Sequence, residues 1–517
     1  MKKVSLLALA SLLVALLLVP SLGLAEEPKY GGTLIFAAEA DVAQMDPHRT
    51  VTMLEGEVFQ CICNALVETD KNYGNVPALA TSWEVSDDGL TWTFHLRQGV
   101  KFHNGREMTA EDVKWNYDRF MNPDVGSMLR TRYPMLDSTE VVDKYTIRFN
   151  LNRPSASFLA TFGGSTVIAA ILAPESIDAE GHITHPIGTG PFEFIEWRDN
   201  DYWRLKKFKD YWDEGLPYLD EIIMKPIEEE IMRHVALKTG DVDLAMMLPK
   251  DEVAKNMDNP PKGIIYSMDS MAGSSMIMFN VTKKPYTDKR VRQAIAYAIN
   301  KKEIEMGVSY GYGEIMNQQF IERSGWNPGI PERKQDLAKA KALLAEAGYP
   351  DGFDDVMTVT NTYKVLIDAA QVIQAQLAEV GINLRLDIYD WAAWIAKATT
   401  CEYTIANCGL SQFSDPDLIY PSLFPEDSAF SWFMGKKYNN PEVNRLFEEA
   451  GTVMDHDKRV ELYRQAMTLV NDDCPTIYYS ADPMPCGWRD YVKGFVPHMA
   501  NHYRYANGGL AYTWLDK

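Results

Sequence analysis

The chain has 517 residues, of which 46% are hydrophobic and 24% charged, and its formal net charge is -21 at pH 7. This length exceeds what one ordinary hydrophobic core supports and predicts two or three domains, while the composition excludes wholesale disorder. An excess of negative charge repels nucleic acid phosphates and anionic membrane surfaces, so we expect no nucleic acid partner.

The N-terminus has the layout of a secretory signal peptide. Lys2 and Lys3 precede an apolar run at residues 4–19, and the small-residue sequence Gly23-Leu24-Ala25 follows. We predict cleavage after Ala25 and export to the periplasm. Because no cysteine lies near the cut, we expect no lipoprotein anchor. An uncleaved membrane anchor is the alternative, because the apolar run is long for a signal. No second run of spanning length follows, which predicts a soluble mature protein.

Strand and helix patterns then alternate along the chain, which predicts an α/β architecture. Residues 90–96 alternate apolar and polar side chains, as a half-buried strand does. Residues 109–112 resemble a capping box that opens a helix, and Asp336 opens another that closes at Gly348. An apolar stripe over residues 366–380 predicts a helix, and residues 382–388 then alternate as a strand. A last helical pair is predicted at residues 443–450 and 458–470.

Six cysteines remain after the predicted cleavage. In an oxidising compartment, Cys401 with Cys408 and Cys474 with Cys486 are possible disulfides that would close short loops. Six cysteines allow fifteen connectivities, so other pairings stay open. The nearby pair Cys61 and Cys63 has no companion pair at zinc spacing, so we expect small buried residues there and no metal site.

Common catalytic motifs are missing. The sequence has no Gly-x-Ser-x-Gly elbow, no Ser-x-x-Lys and no His-Glu-x-x-His. The Gly-rich segments at residues 188–190 and 311–313 lack the lysine and the downstream glycine of nucleotide-binding loops. We therefore predict a protein that is not an enzyme and needs no cofactor. A secreted hydrolase on an unrelated fold is the alternative.

A series of segments in fixed order carries a more specific signal. The longest begins with Pro77-Ala78-Leu79-Ala80, passes through Trp83-Glu84-Val85-Ser86-Asp87-Asp88-Gly89 and ends with Thr109-Ala110-Glu111-Asp112-Val113. Further segments lie at residues 188–192, 279–280, 288–294, 336–350 and 376–382. Together they resemble the bacterial family 5 extracellular solute-binding proteins, which include dipeptide-, oligopeptide- and nickel-complex-binding members.

The resemblance implies an α/β fold of the periplasmic binding protein type II, with two lobes, a hinge and the small extra domain of cluster C. The implied division is a signal peptide at 1–25, lobe I at 26–76, 188–290 and 491–517, an extra domain at 77–187, and lobe II at 291–490. The implied function is the substrate-binding component of an ABC importer, a monomer that delivers a small solute to a membrane permease. Service to a chemosensory receptor is the alternative.

The resemblance also implies the ligand-binding residues. They are Glu39, Asp41 and Met45 in the first lobe and Trp391, Ser411, Gln412, Phe413 and Asp415 in the second. Dipeptide-binding members carry an Asp for the ligand ammonium where this chain has Gln412, and an Arg for the ligand carboxylate in a helix that has no Arg here.

A free dipeptide therefore fits the chain poorly. Aromatic faces at Trp391 and Phe413, with polar partners at Ser411 and Gln412, suit a neutral or cationic amphipathic ligand. We expect an oligopeptide, a modified peptide or an oligosaccharide. Trp394 is expected to pack in the core.

Overall fold

The structure is a computed structural model that describes residues 27–50, 53–72, 74–163, 169–411, 413–498, 504–505 and 508–517. The predicted signal peptide and Gln412 lie outside these ranges. Within them, no helix is both long enough and apolar enough to cross a membrane.

Strands and helices alternate over much of the chain. The strands are β1 (Thr33–Ala38), β2 (Val67–Thr69), β3 (Asn75–Pro77), β4 (Ala80–Val85), β5 (Thr91–Leu96), β6 (Leu136–Asp143), β7 (Thr146–Leu151), β8 (Phe192–Arg198), β9 (Tyr202–Lys207), β10 (Glu221–Pro226), β11 (Leu244–Ala245), β12 (Ile264–Phe279), β13 (Glu314–Ile315), β14 (Phe353–Thr360), β15 (Ile382–Tyr389), β16 (Ile405–Ser411), β17 (Thr476–Arg489), β18 (Val492–Lys493), β19 (Arg504–Tyr505), β20 (Gly508–Gly509) and β21 (Trp514–Leu515).

The α-helices are α1 (Met53–Ile62), α2 (Ala110–Met121), α3 (Glu230–Thr239), α4 (Lys250–Asn256), α5 (Lys289–Ala298), α6 (Lys301–Ser309), α7 (Leu337–Glu346), α8 (Lys364–Ala378), α9 (Trp391–Thr399), α10 (Tyr420–Leu423), α11 (Pro441–Thr452) and α12 (His456–Asp473). Those predicted from Asp336 and from the stripe at residues 366–380 correspond to α7 and α8, and the predicted strands at 90–96 and 382–388 correspond to β5 and β15.

One large sheet runs through most of the protein. Its strand order is β15-β14-β16-β12-β17-β11-β1-β10-β9-β8, with β13 paired to β17. We call the part built on β1 and β8–β11 lobe I, and the part built on β14–β16 lobe II. The long antiparallel pair β12 and β17 belongs to both lobes and joins them.

Each strand of this pair packs in lobe I over one part of its length and in lobe II over the other, and we call the point of change the crossing. On β12, Met268 packs in a hydrophobic cluster of lobe I and Met271 in one of lobe II. On β17, Ala481 packs in lobe II and Cys486 in lobe I. Irregular register at Ser267–Ser270 and Met271–Ser274 marks the same place. Both strands therefore pass from one core to the other within their length, and the limits at residues 290 and 490 stay a prediction.

A separate antiparallel sheet of order β4-β5-β7-β6 lies in the segment predicted as the extra domain. It buries one face against α2 in a core rich in aromatic rings, with Phe94, Tyr117 and Phe149 at its centre. The predicted capping box opens α2, because the Asp112 carboxylate accepts from the Thr109 backbone N–H at 2.8 Å. This body therefore has a core of its own.

The Gly188-Thr189-Gly190 motif joins this small body to lobe I. A Cβ atom on Gly188 would lie 2.1 Å from the Ile62 carbonyl oxygen at the end of α1, so only glycine fits. His103 holds the same segment, since the Gly188 N–H donates to its Nδ1 at 3.3 Å and its Nε2 donates to the Gly190 carbonyl at 3.1 Å. The motif is thus a structural joint.

This joint predicts acid sensitivity. Burial lowers the pKa of His103 from 6.5 to about 4. Between these pH values the imidazole is protonated in the unfolded chain but stays neutral in the folded protein. Stability from this group is complete above pH 6.5 and is lost as the pH falls towards 4. We expect the melting temperature of His103→Gln to depend less on pH in this window than that of the natural protein.

The control for this prediction is His95→Gln, which changes an imidazole on β5 whose side chain is 44% exposed. Thermal unfolding followed by circular dichroism at a series of pH values makes the measurement. Equal pH dependence in the His103→Gln variant and the natural protein would refute the role of His103.

The predicted disulfides are wrong, because all six cysteines are free. Cys474 lies two residues before the start of β17, whereas Cys486 lies near its far end. A strand advances about 3.3 Å per residue, which separates these two by far more than the reach of a disulfide. Cys408 is likewise carried away from Cys401 by the extended course of β16.

Candidate functional site

The parallel strands of each lobe point their carboxyl ends towards the crossing, where β12 and β17 pass between the lobes. In lobe II, β16 runs antiparallel to β12, so that its last residue Ser411 lies opposite Gly273 near the exchange point. Strand β14 runs parallel to both β16 and β15. In lobe I, β11 runs antiparallel to β17 towards the crossing, and β1 and β10 run parallel to it.

The loops after these strands therefore face one another across a cleft between the lobes. In open α/β sheets, ligands bind outside the carboxyl ends of the strands. The charges of the two lobes influence one another, as Lys364 shows. The pKa of Lys364 on α8 is raised mainly by Asp368, and Asp251 of lobe I contributes. This cleft is the candidate site.

Glu39 follows the carboxyl end of β1 on the lobe I side. Its Oε2 atom is buried and has no hydrogen-bond partner in the described part of the chain. Burial raises the pKa of this carboxyl, although its own backbone N–H and the charge of Arg233 act in the opposite direction. A buried carboxylate oxygen without a partner is costly and is suited to a donor from a ligand.

Arg233 on α3 supports this corner of lobe I. Its guanidinium donates to the carbonyl oxygens of Ile227 at 2.6 Å, Met246 at 3.0 Å and Met247 at 2.6 Å. It thereby ties the loop after β10 to the loop after β11. The positive charge of Arg233 thus acts on Glu39 from a guanidinium that donates to these backbone carbonyls.

Asp41 and Met45, also predicted to contact ligand, lie in the same loop. The Asp41 carboxylate accepts from the indole N–H groups of Trp197 at 3.1 Å and Trp203 at 3.1 Å and from the backbone N–H of Asn200 at 2.7 Å. It therefore fastens the β8–β9 hairpin. Met45 is partly buried against the core of lobe I. A ligand contact at either residue stays a prediction.

On the lobe II side, aromatic rings form a wall. The rings of Trp391 and Trp394 are stacked, with centroids 5.2 Å apart and planes 12° from parallel. Tyr363, which follows β14, meets Trp391 edge to face at 5.5 Å. Trp394 is fully buried, as expected, whereas Trp391 is 37% exposed and Tyr363 49% exposed. Two aromatic surfaces thus remain open to a ligand.

Ser411 and Phe413 lie beside this wall, at and after the end of β16. Both are half-buried, and Phe413 packs against the core of lobe II. The Ser411 carbonyl accepts from Gln319 Nε2 at 2.8 Å, which fixes the end of the strand. Their predicted contact with ligand remains a prediction, as does that of Gln412 between them.

Asp415 has a different environment from the one predicted. Its two carboxylate oxygens accept from the Arg459 guanidinium at 2.6 and 2.7 Å, and the two side chains are only 5% and 4% exposed. Arg459 also lies over the Trp326 ring at 4.7 Å. The carboxylate thus neutralises a buried cation inside lobe II, which leaves little of its charge for a ligand.

Asp417, two residues on, connects lobe II to the extra domain. It accepts from the Ser157 hydroxyl at 2.8 Å, and the Ala156 N–H donates to the Gly451 carbonyl at 2.8 Å. Burial raises the pKa of Asp417, and the negative charge of Asp415 adds to the effect. The extra domain therefore touches lobe II next to the cleft.

The arrangement is suited to binding a small molecule. Among the described residues, no group of three or more His, Cys, Asp or Glu side chains could hold a metal ion. The cleft offers an unpartnered carboxylate oxygen at Glu39 on one side and open aromatic rings on the other. These groups recognise a cation and an apolar surface.

Sequence reasoning missed Tyr363, Arg233 and Arg459. Tyr363 could have been found, because it directly follows a strand of an αβ unit, at the edge where ligands bind. Arg233 and Arg459 stand within ordinary amphipathic helices, and nothing in their local pattern reveals which buried groups they meet.

Comparisons with known proteins agree with this architecture. A model of the family described as "Bacterial extracellular solute-binding proteins, family 5 Middle" matches residues 75–431. The chain is 32% identical over 475 residues to heme-binding protein A of Haemophilus influenzae, covering 84% of this chain and 84% of that protein. It is 28% identical over 485 residues to the glutathione-binding protein GsiB of Salmonella paratyphi A, covering 89% of this chain and 91% of that protein.

A solved structure is similar as well. The ABC transporter-associated periplasmic binding protein DppA from Helicobacter pylori, in complex with the peptide STSA, superposes with a TM-score of 0.77 at 29% identity. The match covers 95% of this chain and 99% of that chain. The similarity thus extends over both lobes and the small body between them.

Proposed function

The chain belongs to the bacterial extracellular solute-binding proteins of family 5, and on that premise we propose that its cleft captures a neutral or cationic amphipathic solute, foremost an oligopeptide or a modified peptide. The fold is of the type II periplasmic binding protein class, as predicted. The protein is the substrate-binding component of an ABC importer, which captures a small solute and delivers it to a membrane permease.

One observation carries the choice of ligand class. The buried Glu39 oxygen without a partner stands at the same cleft as the open rings of Trp391 and Tyr363. An ammonium or amide N–H group satisfies the carboxylate, and an apolar or aromatic group packs on the rings. A molecule that carries both kinds of group is complementary to both lobes.

The groups that would favour a free dipeptide are missing. Helix α8 contains no arginine to receive a ligand carboxylate. Its first residue, Lys364, is hydrogen-bonded to Asp368. The relatives themselves are named for ligands as different as heme and glutathione, so membership of the family leaves the ligand open and the cleft residues must decide it.

Ligand capture then follows from closure of the lobes. A solute that contacts Glu39 and Trp391 together does so only when the lobes are closed, and it shifts the population towards that state. The irregular register at Ser267–Ser270 of β12 is the place where the shared strands can bend. We propose this segment and its partner on β17 as the hinge.

Export and assembly complete the proposal. We infer that residues 1–25 direct the chain to the periplasm and are removed, with no lipid anchor, and that the mature protein acts as a monomer without catalytic turnover. Mass spectrometry of the mature protein measures whether residues 1–25 are removed and whether a lipid is attached, and light scattering measures whether the protein is a monomer. Incubation with a bound peptide, followed by analysis for cleavage products, tests whether catalytic turnover occurs.

The decisive experiment identifies the ligand directly. The protein is purified under native conditions and denatured, and the released small molecules are analysed by mass spectrometry, since a closed binding protein releases ligand only on reopening. We expect an amphipathic molecule that carries an amine or amide. Release of a free dipeptide would refute the proposed ligand class.

The aromatic wall gives a quantitative prediction. Trp391→Ala should weaken affinity for the released ligand by about 10- to 100-fold, because burying an aromatic face contributes about 1.5–3 kcal/mol. Isothermal titration calorimetry measures it. Tyr30→Ala is the matched control, because Tyr30 is 64% exposed and precedes β1, at the edge of the sheet opposite the cleft. Equal losses in the two variants would remove Trp391 from the site.

A further inference from the structure

Lobe II contains a small polar cavity away from the cleft. It lies at the start of β17, where Thr476 pairs with Met278, whereas the cleft lies further along the same strand, where β12 and β17 pass between the lobes. Its lining residues are Ala296, Lys301, Asn317, Arg333, Met467, Val470, Asn471, Cys474, Thr476, Ile477 and Tyr478. The cavity volume is about 20 Å³, which gives room for one or two atoms the size of a water oxygen.

Lys301 brings a buried positive charge to this cavity. Its ammonium donates to the Met316 carbonyl at 2.7 Å and to Asn317 Oδ1 at 2.7 Å, and the residue is only 6% exposed. An ammonium group has three donors, so one remains. Burial lowers the pKa of Lys301 to about 7, against the opposing charge of Glu332. The ammonium is therefore short of a counter-ion.

Two further donors meet at the same cavity. Arg333 Nη2 donates to the Asn471 carbonyl at 2.8 Å, but Nη1 is buried without a hydrogen-bond partner in the described part of the chain. The Tyr478 hydroxyl is buried and equally unpartnered there. The guanidinium interacts with the Cys474 thiol, which is a weak acceptor.

The acceptors that the two cations use here are neutral. The Met316 carbonyl, Asn317 Oδ1 and the Asn471 carbonyl each accept from one of the two cations. None of the lining residues is an Asp or Glu. Two cations and a hydroxyl therefore line a cavity that carries no anionic side chain, and a buried charge without compensation is costly.

We propose that this cavity binds a monatomic anion of the size of chloride. Such an ion would accept from Lys301 Nζ, Arg333 Nη1 and Tyr478 Oη together and would compensate the buried charge. The ion would link the start of α6, the segment before α7 and β17 into one unit, independently of the solute in the cleft.

Thermal unfolding tests the proposal. The ligand-free protein is melted in sodium chloride, sodium bromide and sodium gluconate at equal ionic strength and pH. We expect the melting temperature to rise and saturate with chloride or bromide by a few degrees, as binding to the folded state requires. Gluconate, which is too large to enter, should give no saturating rise. Identical curves in the three salts would overturn the proposal.

Variants assign the effect to the cavity. Tyr478→Phe and Arg333→Gln should each lose most of the halide-dependent rise. Tyr478→Phe should be at least as stable as the natural protein in gluconate, because it removes an unpartnered buried hydroxyl. Arg385→Gln is the control, since the side chain of Arg385 is 67% exposed on the same lobe. A rise retained in Tyr478→Phe and Arg333→Gln would place the halide elsewhere and refute the site.

Crystals grown in sodium bromide give a direct readout. We expect an anomalous bromide peak within hydrogen-bond distance of Lys301 Nζ and Tyr478 Oη. Density for water alone at that position, with no anomalous signal, would show a hydrated cavity and overturn the assignment of an anion.

Discussion

Replacing Arg459 with methionine is expected to lower the free energy of unfolding by about 3–5 kcal/mol, the cost of breaking a buried ion pair by removing one partner. The Asp415 carboxylate would keep its charge in a site where both side chains are almost fully buried. The substitution would also remove the packing of the Arg459 guanidinium on the Trp326 ring. Urea-induced unfolding followed by tryptophan fluorescence and circular dichroism measures the loss.

Two further variants make this prediction specific. The double variant Asp415→Leu with Arg459→Met removes both charges and should recover much of the stability, because apolar replacements of buried pairs are often neutral. Arg464→Met on the same helix removes a guanidinium that is 50% exposed, and it should change stability by less than about 1 kcal/mol. A double variant no more stable than Arg459→Met would contradict the ion-pair explanation.

The ion pair with Arg459 also gives a test of whether Asp415 binds ligand. If its carboxylate serves Arg459 alone, Asp415→Asn should lose stability and keep its affinity for ligand when both are measured below the unfolding transition. If affinity falls much more than stability does, the ligand contact inferred from the family resemblance holds.

The second large effect concerns Glu39. Glu39→Gln is expected to weaken binding of a cationic ligand by about 10- to 100-fold, since a hydrogen bond to a charged group contributes about 1.5–3 kcal/mol. The same change should stabilise the ligand-free protein, because burial raises the pKa of this carboxyl and the neutral amide avoids the cost of a buried charge. Calorimetric titration and thermal unfolding of the same preparations measure both effects.

A loss of affinity together with a gain of stability distinguishes a ligand-binding carboxylate from a structural one. A structural carboxylate would lose stability on substitution and leave affinity unchanged. The control Glu214→Gln changes an exposed residue of lobe I and should alter neither. Unchanged affinity of Glu39→Gln for the natural ligand would show that no cation of the ligand meets Glu39.

Local features of the fold could be read from the sequence. The alternation of residues 90–96 became β5 and the stripe of residues 366–380 became α8. The Thr109 capping box formed as predicted, because such signals depend on neighbours three or four residues away. The family segments extended this reading to the arrangement of the lobes.

Features that depend on distant partners could not be read in this way. The ligand contact of Asp415 was implied by the resemblance, but its buried partner, 44 residues further on, is seen only in the structure. Cysteine spacing suggested bridges that an extended strand rules out. Glu39 was predicted from the resemblance, but its missing partner emerged only from the packing of the loops after β1, β10 and β11.

The path of the chain through the crossing has a consequence for how such proteins diversify. Lobe II enters at β12 and leaves at β17, and at the exchange Ser270 on β12 is paired with Met484 on β17. The whole lobe is therefore one continuous insert whose two ends are neighbours in space. A single recombination event that replaced it would exchange the aromatic half of the cleft and leave Glu39 in place. New specificities could then arise by trading halves between relatives, with the cores of both donors intact.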